Sequence, residues 1–238
     1  MPTGTNPRRT FNRFKMAPGI LRPIATQRRQ GGPTSVVFRI VCEPCNNGWM
    51  GQIEQEAKPV FLRLFSPERT VISPDEQLRL ARWVFLKLLL SDQENRDVSI
   101  YCPDACKAFK NTLAIPANVA IWLGQAATTR WNGAMYRHSA RVEPGVLKTP
   151  PGDARRQNVK TLSFGAARLF FQINASTAGE WLKVEPESDH RLFLVWPRFG
   201  ATALPWPPFG QLSIADCTAI ANNLGMFLQR GKYLPSPE

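Results

Sequence analysis

Apolar residues recur along this chain at two different spacings, and one gives way to the other near its middle. Met50, Ile53, Ala57, Val60, Phe61 and Leu64 repeat at the three-to-four-residue interval of one helical face. Pro59 interrupts that run and removes a backbone donor, so a kink or break is predicted there. Ser73-Pro74-Asp75-Glu76 predicts a sharp helix start, with serine as N-cap, proline at the first helical position and glutamate three residues past the cap. The helix it opens runs through about Ser91 and buries Leu78, Ala81, Phe85 and Leu88 or Leu89. Pro103 to Leu113 predicts a shorter helix. Beyond it, Val119 to Leu123, Ala134 to Val142, Thr161 to Ala175 and Arg191 to Trp196 are short apolar or alternating runs punctuated by Gly, Pro and Asn, which are strand signals.

Two further elements complete the pattern. Ser35 to Val41 is rich in β-branched and aromatic residues and reads as a strand; Ser213 to Gln229 reads as a closing helix. In that helix Ser213 is the cap, Asp216 stands three residues on, and Ile214, Cys217, Ile220, Leu224 and Phe227 or Leu228 share one face. Pro144 to Asn158 is polar, holds three prolines, and reads as a long hairpin loop or an internal linker. No internal repeat is present. The class expected is α+β: a strand, a cysteine turn and helices in the N-terminal half, then a mainly antiparallel β sheet with a closing helix. The organisation expected is an arm over 1–34, a helical region over 35–114 and a β-rich domain over 115–238.

Charge changes the picture of the first segment. Arg8, Arg9, Arg13, Lys15, Arg22, Arg28 and Arg29 precede residue 35 with no acidic residue among them, within a chain whose net charge is +12. A disordered basic arm is expected, with Arg8, Arg9, Arg13, Lys15, Arg28 and Arg29 as nucleic-acid contacts. The overall surplus favours polyanionic partners over cationic ones. The longest apolar-dominated run, Trp83 to Leu90, contains Lys87 and is too short to span a bilayer, so no membrane partner is expected. The N-terminus lacks the apolar core of a secretory signal and is broken by Pro and Gly, which points to a cytoplasmic address.

The chain has five cysteines, an odd number that argues against a disulfide framework. Cys42 and Cys45 form a C-x-x-C pair that can turn two thiolates toward one Zn²⁺, but a structural site takes four ligands. Cys102, Cys106, Cys217, His138 and His190 are the other donors of this kind. Cys102 and Cys106 are four apart at a helix start and can share a face, yet the favoured reading makes them small buried hydrophobes. A redox role for Cys42-Glu43-Pro44-Cys45 needs a βαβ setting that the pattern lacks. A purely structural turn, with Asn46-Asn47-Gly48 supplying caps and positive φ, is the competing reading.

The run R-I-V-C-E-P-C-N-N-G-W-M-G-Q-I-E-Q-E-A-K-P resembles the second half of the ββα-metal motif of bacterial HNH-endonuclease-like proteins. The likeness extends to the capped helix from Ser73, to Leu162-Ser163-Phe164-Gly165 with the strand ending at Gln172, and to Val195-Trp196-Pro197 and Trp206-Pro207-Pro208. The resemblance implies that Cys42 and Cys45 are half of a zinc site and that Asn46 lies near a hydrolytic divalent metal such as Mg²⁺. In the family pattern an earlier C-x-x-C completes the zinc shell, and an acidic-His pair supplies the general base that activates water. Here no Cys or His precedes Cys42, and the first histidine is His138.

The function expected is that of a nucleic-acid-associated protein, DNA favoured, that resembles an HNH endonuclease. Through truncation or degeneration it lacks the other half of the motif and is not catalytic alone, with zinc held weakly or not at all. The alternative is a non-enzymatic protein–protein interaction module whose cysteine turn shapes a helix entry and whose charge meets an acidic partner. Among the seven tryptophans, Trp83, Trp122 and Trp181 are expected in the core, and the Trp-Pro pairs as rigid loop anchors rather than base-stacking platforms.

Overall fold

The computed structural model describes residues 8–17, 20–30, 41–93, 99–142, 159–176, 191–197 and 202–222; over 8–30 and 140–142 the description is of the backbone. Its centre is a seven-stranded sheet in the order β2-β1-β5-β6-β7-β4-β8. The strands are β1 (Arg8–Ala17), β2 (Ile20–Gln30), β4 (Val119–Gln125), β5 (Met135–Val142), β6 (Val159–Ala166), β7 (Leu169–Ser176) and β8 (Leu192–Trp196). Every neighbouring pair is antiparallel except β1 with β5. A two-stranded sheet pairs β3 (Thr70–Ile72) with β9 (Leu204–Trp206). The helices are α1 (Glu43–Cys45), α2 (Gly51–Phe65), α3 (Pro74–Gln93), α4 (Pro103–Thr112) and α5 (Ile214–Asn222). The protein is therefore α+β, with a mainly antiparallel sheet.

The sheet has two faces of different chemistry, set by the period of two along each strand. Met135, Phe164, Phe171, Leu123 and Phe193 lie in one row across β5, β6, β7, β4 and β8, and Leu162, Ile173 and Ile121 in the next. This apolar face shares one core with Ile53, Val60 and Leu64 of α2 and with Leu80, Val84, Phe85 and Leu88 of α3. Helical region and β-rich region thus bury their apolar surface in each other. The opposite face carries a buried polar row: His138, Thr161 and Asn174 align across three strands, beside Ser163 and Gln172. Against it α5 packs Cys217 and Ala221 together with Phe170 and Trp131.

Both predicted capping boxes form. In α3 the Glu76 N–H donates to Ser73 Oγ at 3.4 Å while Glu76 Oε2 accepts from the Ser73 N–H at 2.9 Å. In α5 the same exchange joins Ser213 and Asp216 at 3.1 and 2.8 Å. Two helix details differ from expectation. Leu78 is only half-buried, the deep contacts of α3 falling to Leu80 and Val84. The α2 helix runs through Pro59 without a break. Pro59 and Gln55, whose carbonyl loses its amide partner, both lie on the exposed side, where that carbonyl is open to solvent.

The expected disordered arm is corrected over residues 8–17 and 20–30, which form a hairpin whose inner strand pairs with β5 from Arg9–Met135 to Met16–Val142. A segment too polar to build its own core still folds where an existing sheet edge supplies a partner for every other backbone group. The strand predicted over Ser35 to Val41 lies outside the described residues except Val41, which is in no strand. Pro144 to Asn158, Trp181, His190 and the helix beyond Asn222 also lie outside them. The strands flanking Pro144 to Asn158 are antiparallel neighbours, with Ala140 opposite Val159. Among the described residues no helix is long and apolar enough to cross a membrane.

Candidate functional site

The cysteine turn is a helix entry. Cys42 is extended (φ −73, ψ 153), and its carbonyl accepts from the Cys45 and Asn46 N–H groups at 3.1 and 3.0 Å, which closes the single turn of α1. A wider π-type turn, Asn46–Met50, then joins α1 to α2, and in it Gly48 leaves the helical region (φ −89, ψ −115). The positive φ expected in Asn46-Asn47-Gly48 is absent. All five cysteines are free. A hydrogen bond with the Cys45 side chain, then one with its backbone, holds the exposed Cys42 thiol below its ordinary value, and the Lys110 charge adds to them. The turn therefore brings its two sulfurs together, as a metal-binding or redox pair requires.

Cys102 and Cys106 join them. Both pairs line one cavity of about 590 Å³, walled by Met50, Leu86 and Leu89 and bordered by Trp49 and Tyr101. The expectation that Cys102 and Cys106 are buried hydrophobes is thereby corrected, since each is only half-buried and each opens on the same space as Cys42. Burial pushes the Cys106 thiol up to about 11, with Asp92 and Cys102 adding to it. Trp49 Nε1 and Tyr101 Oη are buried polar atoms without a hydrogen-bond partner. Among the described residues, no three His, Cys, Asp or Glu side chains converge closely enough to hold a metal ion as arranged here.

One wall of the cavity is fixed from below by a buried ion pair. Lys160 Nζ, on β6, lies 2.5 Å from Asp92 Oδ1 at the end of α3, and both side chains are almost wholly buried. The same carboxylate accepts from Ser99 Oγ at 2.5 Å, from the Ile100 N–H at 3.1 Å and from the Tyr101 N–H at 3.0 Å. Chain 99–101, which leads directly into Cys102, is thus tied to the helix and the sheet together. Sequence alone offered no signal that Asp92 and Lys160 would meet.

The remaining predicted residues fall elsewhere. Asn46 is exposed; its side chain bonds its neighbour, with Nδ2 donating to Asn47 Oδ1 at 3.3 Å, and it is not part of the cavity wall. The backbone is helical at Asn46 (φ −64, ψ −48), so one residue past Cys45 the side chain has turned by about 100° around the axis. His138 is no substitute base. Arg137 Nη1 reaches the Ser91 carbonyl of α3 on the apolar face, whereas the adjacent His138 meets the Ala221 carbonyl of α5 on the other. Burial pushes the His138 pKa down to about 4. Cys217 is a core thiol, which burial pushes up to about 12. None of the six described tryptophans is exposed, so base stacking has no platform among them.

The basic positions lie on the hairpin. In its register Arg9 stands opposite Arg29, Lys15 opposite Arg22, Arg8 opposite Gln30 and Thr10 opposite Arg28, and β2 is the outer edge of the sheet. Like charges placed directly opposite on a ladder destabilise it by a few tenths to about 1 kcal/mol, and a polyanion removes that cost. Compared with protein-family models, with curated proteins and with solved structures, the chain matches none.

Proposed function

We propose that this chain is a nucleic-acid-associated protein that binds duplex DNA through its β1–β2 hairpin and does not cleave the phosphodiester backbone by itself. The observation that carries the reading is the hairpin register, which concentrates Arg8, Arg9, Arg13, Lys15, Arg28 and Arg29 on the outermost ribbon of the sheet. At a strand rise of about 3.3 Å per residue the ribbon is about 33 Å long, close to one turn of DNA. The HNH-like reading of the cysteine turn fits the same partner. Two placements support the reading that the chain does not cleave alone: Asn46 stands apart from any acidic-His pair among the described residues, and His138 is buried and neutral on the far face. Five free thiols suit a reducing, cytoplasmic address.

Equilibrium binding to a duplex across a salt series tests this. Six phosphate contacts give a slope of log K against log salt of about −5, and each hairpin charge removed lowers it by about 1. A slope near zero at near-physiological salt, with an acidic protein captured instead, overturns the proposal and favours the interaction-module reading. A nicking assay in Mg²⁺ or Mn²⁺ is expected to show no cleavage. Metal-dependent nicking lost in Asn46→Ala would reinstate the catalytic site.

A further inference from the structure

The two cysteine pairs are built alike. The first thiol of each stands at an extended residue that opens a helix, Cys42 as given above and Cys102 at φ −77, ψ 164. A proline follows within two positions, Pro44 and Pro103, and the second thiol sits on the first turn. Neither opening cysteine caps its helix through the side chain. A serine, aspartate or asparagine at such a place satisfies an orphan N–H and is typically worth about 1 kcal/mol, so helix stability does not account for a thiol at both openings.

Both pairs line the same cavity, and so do Tyr101 (5 % exposed) and Trp49; the Tyr101 hydroxyl and the Trp49 indole N–H are buried donors without a partner. A purely apolar occupant leaves those donors unpaired, at a cost of about 1–3 kcal/mol each. A cluster of thiolates accepts from both. We propose that Cys42, Cys45, Cys102 and Cys106 bind one zinc ion as a tetrathiolate, with Tyr101 Oη and Trp49 Nε1 donating to its sulfurs. The second half of the shell then comes from downstream in the chain, whereas the HNH resemblance places it upstream.

Zinc displaces the proton of each thiol and pulls the sulfurs to about 2.3 Å from the metal, so the two pairs must close on each other. The turn that carries Cys42 and Cys45 permits this. It joins α2 through Gly48, whose backbone is outside the helical region and around which an added Cβ would meet nothing within 4 Å. The opposite pair is held in place, because Asp92 fixes the backbone of Ile100 and Tyr101 just ahead of Cys102. Tyr101 and Trp49 supply the outer hydrogen bonds that orient metal-bound thiolates.

The test uses the full chain, purified without chelator, for metal content, and the same chain loaded with Co²⁺ for its electronic spectrum, which reports geometry and thiolate number. One zinc per chain and a tetrahedral spectrum of four thiolates are expected. Cys102→Ser and Cys106→Ser should each lose the metal as completely as Cys42→Ser, while Cys217→Ser keeps it. A chain that retains no zinc, a spectrum of two thiolates, a disulfide within or between the pairs, or undiminished binding in Cys102→Ser and Cys106→Ser overturns the proposal. The cobalt spectrum is read on the unaltered chain, so a variant that fails to fold does not blunt the test. DNA binding is measured separately, and either proposal can fail without the other.

Discussion

At the scale of single residues, the sharpest constraint lies at Gly165, where a Cβ would collide with the carbonyl of Trp131. The two backbones are bonded there: Gly165 N–H donates to Ala134 O at 3.1 Å and Gly133 N–H to Gly165 O at 3.1 Å. Gly165→Ala must push the Trp131 turn off the sheet, and a loss of about 1–3 kcal/mol is expected in urea unfolding. His138 gives a second expectation, in pH. Its pKa falls from 6.5 to about 4 on folding, so the unfolded chain binds the extra proton between those values. The sign follows: stability is highest above about pH 6.5, declines as pH falls, and the loss is complete below about pH 4, amounting to roughly 3 kcal/mol from this residue. Unfolding free energies at pH 7 and pH 5 should differ less in His138→Gln than in the parent chain. The cysteine turn was legible because spacing in sequence fixes neighbours within one helical turn. The outward direction of Asn46 was not, because it depends on whether the helix begins before or after that residue.

Among the elements, legibility tracked how local the determining interactions are. The starts of α3 and α5 were readable because a capping box involves four consecutive residues, and Ser73→Ala should cost about 1 kcal/mol. Strands β4, β5 and β8 announced themselves by their apolar runs, whereas the single run Thr161 to Ala175 is two strands, β6 and β7, divided by a turn at Ala167 and Arg168. The short strands β3 and β9 did not, since each is three residues long and depends on the other for its partner. Nor did β1 and β2: β1 pairs with β5, far away in sequence, and β2 has β1 as its partner in the sheet. The buried Asp92–Lys160 pair belongs to this class as well: it joins α3 to β6 across the core, and a pattern of apolar positions says nothing about it. Lys160→Met leaves a carboxylate without its cation in a site closed to water, and a loss of about 3–5 kcal/mol is expected in thermal or urea unfolding. The metal content of the same variant should fall too if chain 99–101 loosens, because that segment sets the position of Cys102.

Across the whole molecule, the basic ribbon faces two demands that single residues cannot meet independently. An outer strand exposes unpaired backbone groups and invites pairing with other chains, and positive charge and proline are common defences. Strand β2 has both, with Arg22, Pro23, Arg28 and Arg29, and its register slips at Pro23, where Phe14 stands opposite it after Arg13 has paired with Ala25. Edge protection alone, however, does not call for arginine on both members of a pair, and the ladder pays for Arg9 opposite Arg29 in stability. Protection and binding therefore predict different behaviour for one substitution. If the charges only guard the edge, Arg9→Thr, on the inner strand, leaves nucleic-acid affinity unchanged. If they form a phosphate-binding ribbon, Arg9→Thr raises the unfolding free energy by a few tenths of a kcal/mol while it weakens duplex binding and lowers the salt slope by about 1. Stability and affinity moving in opposite directions in that one variant is the expected result, measured by urea unfolding without DNA and by a salt-dependent titration with it.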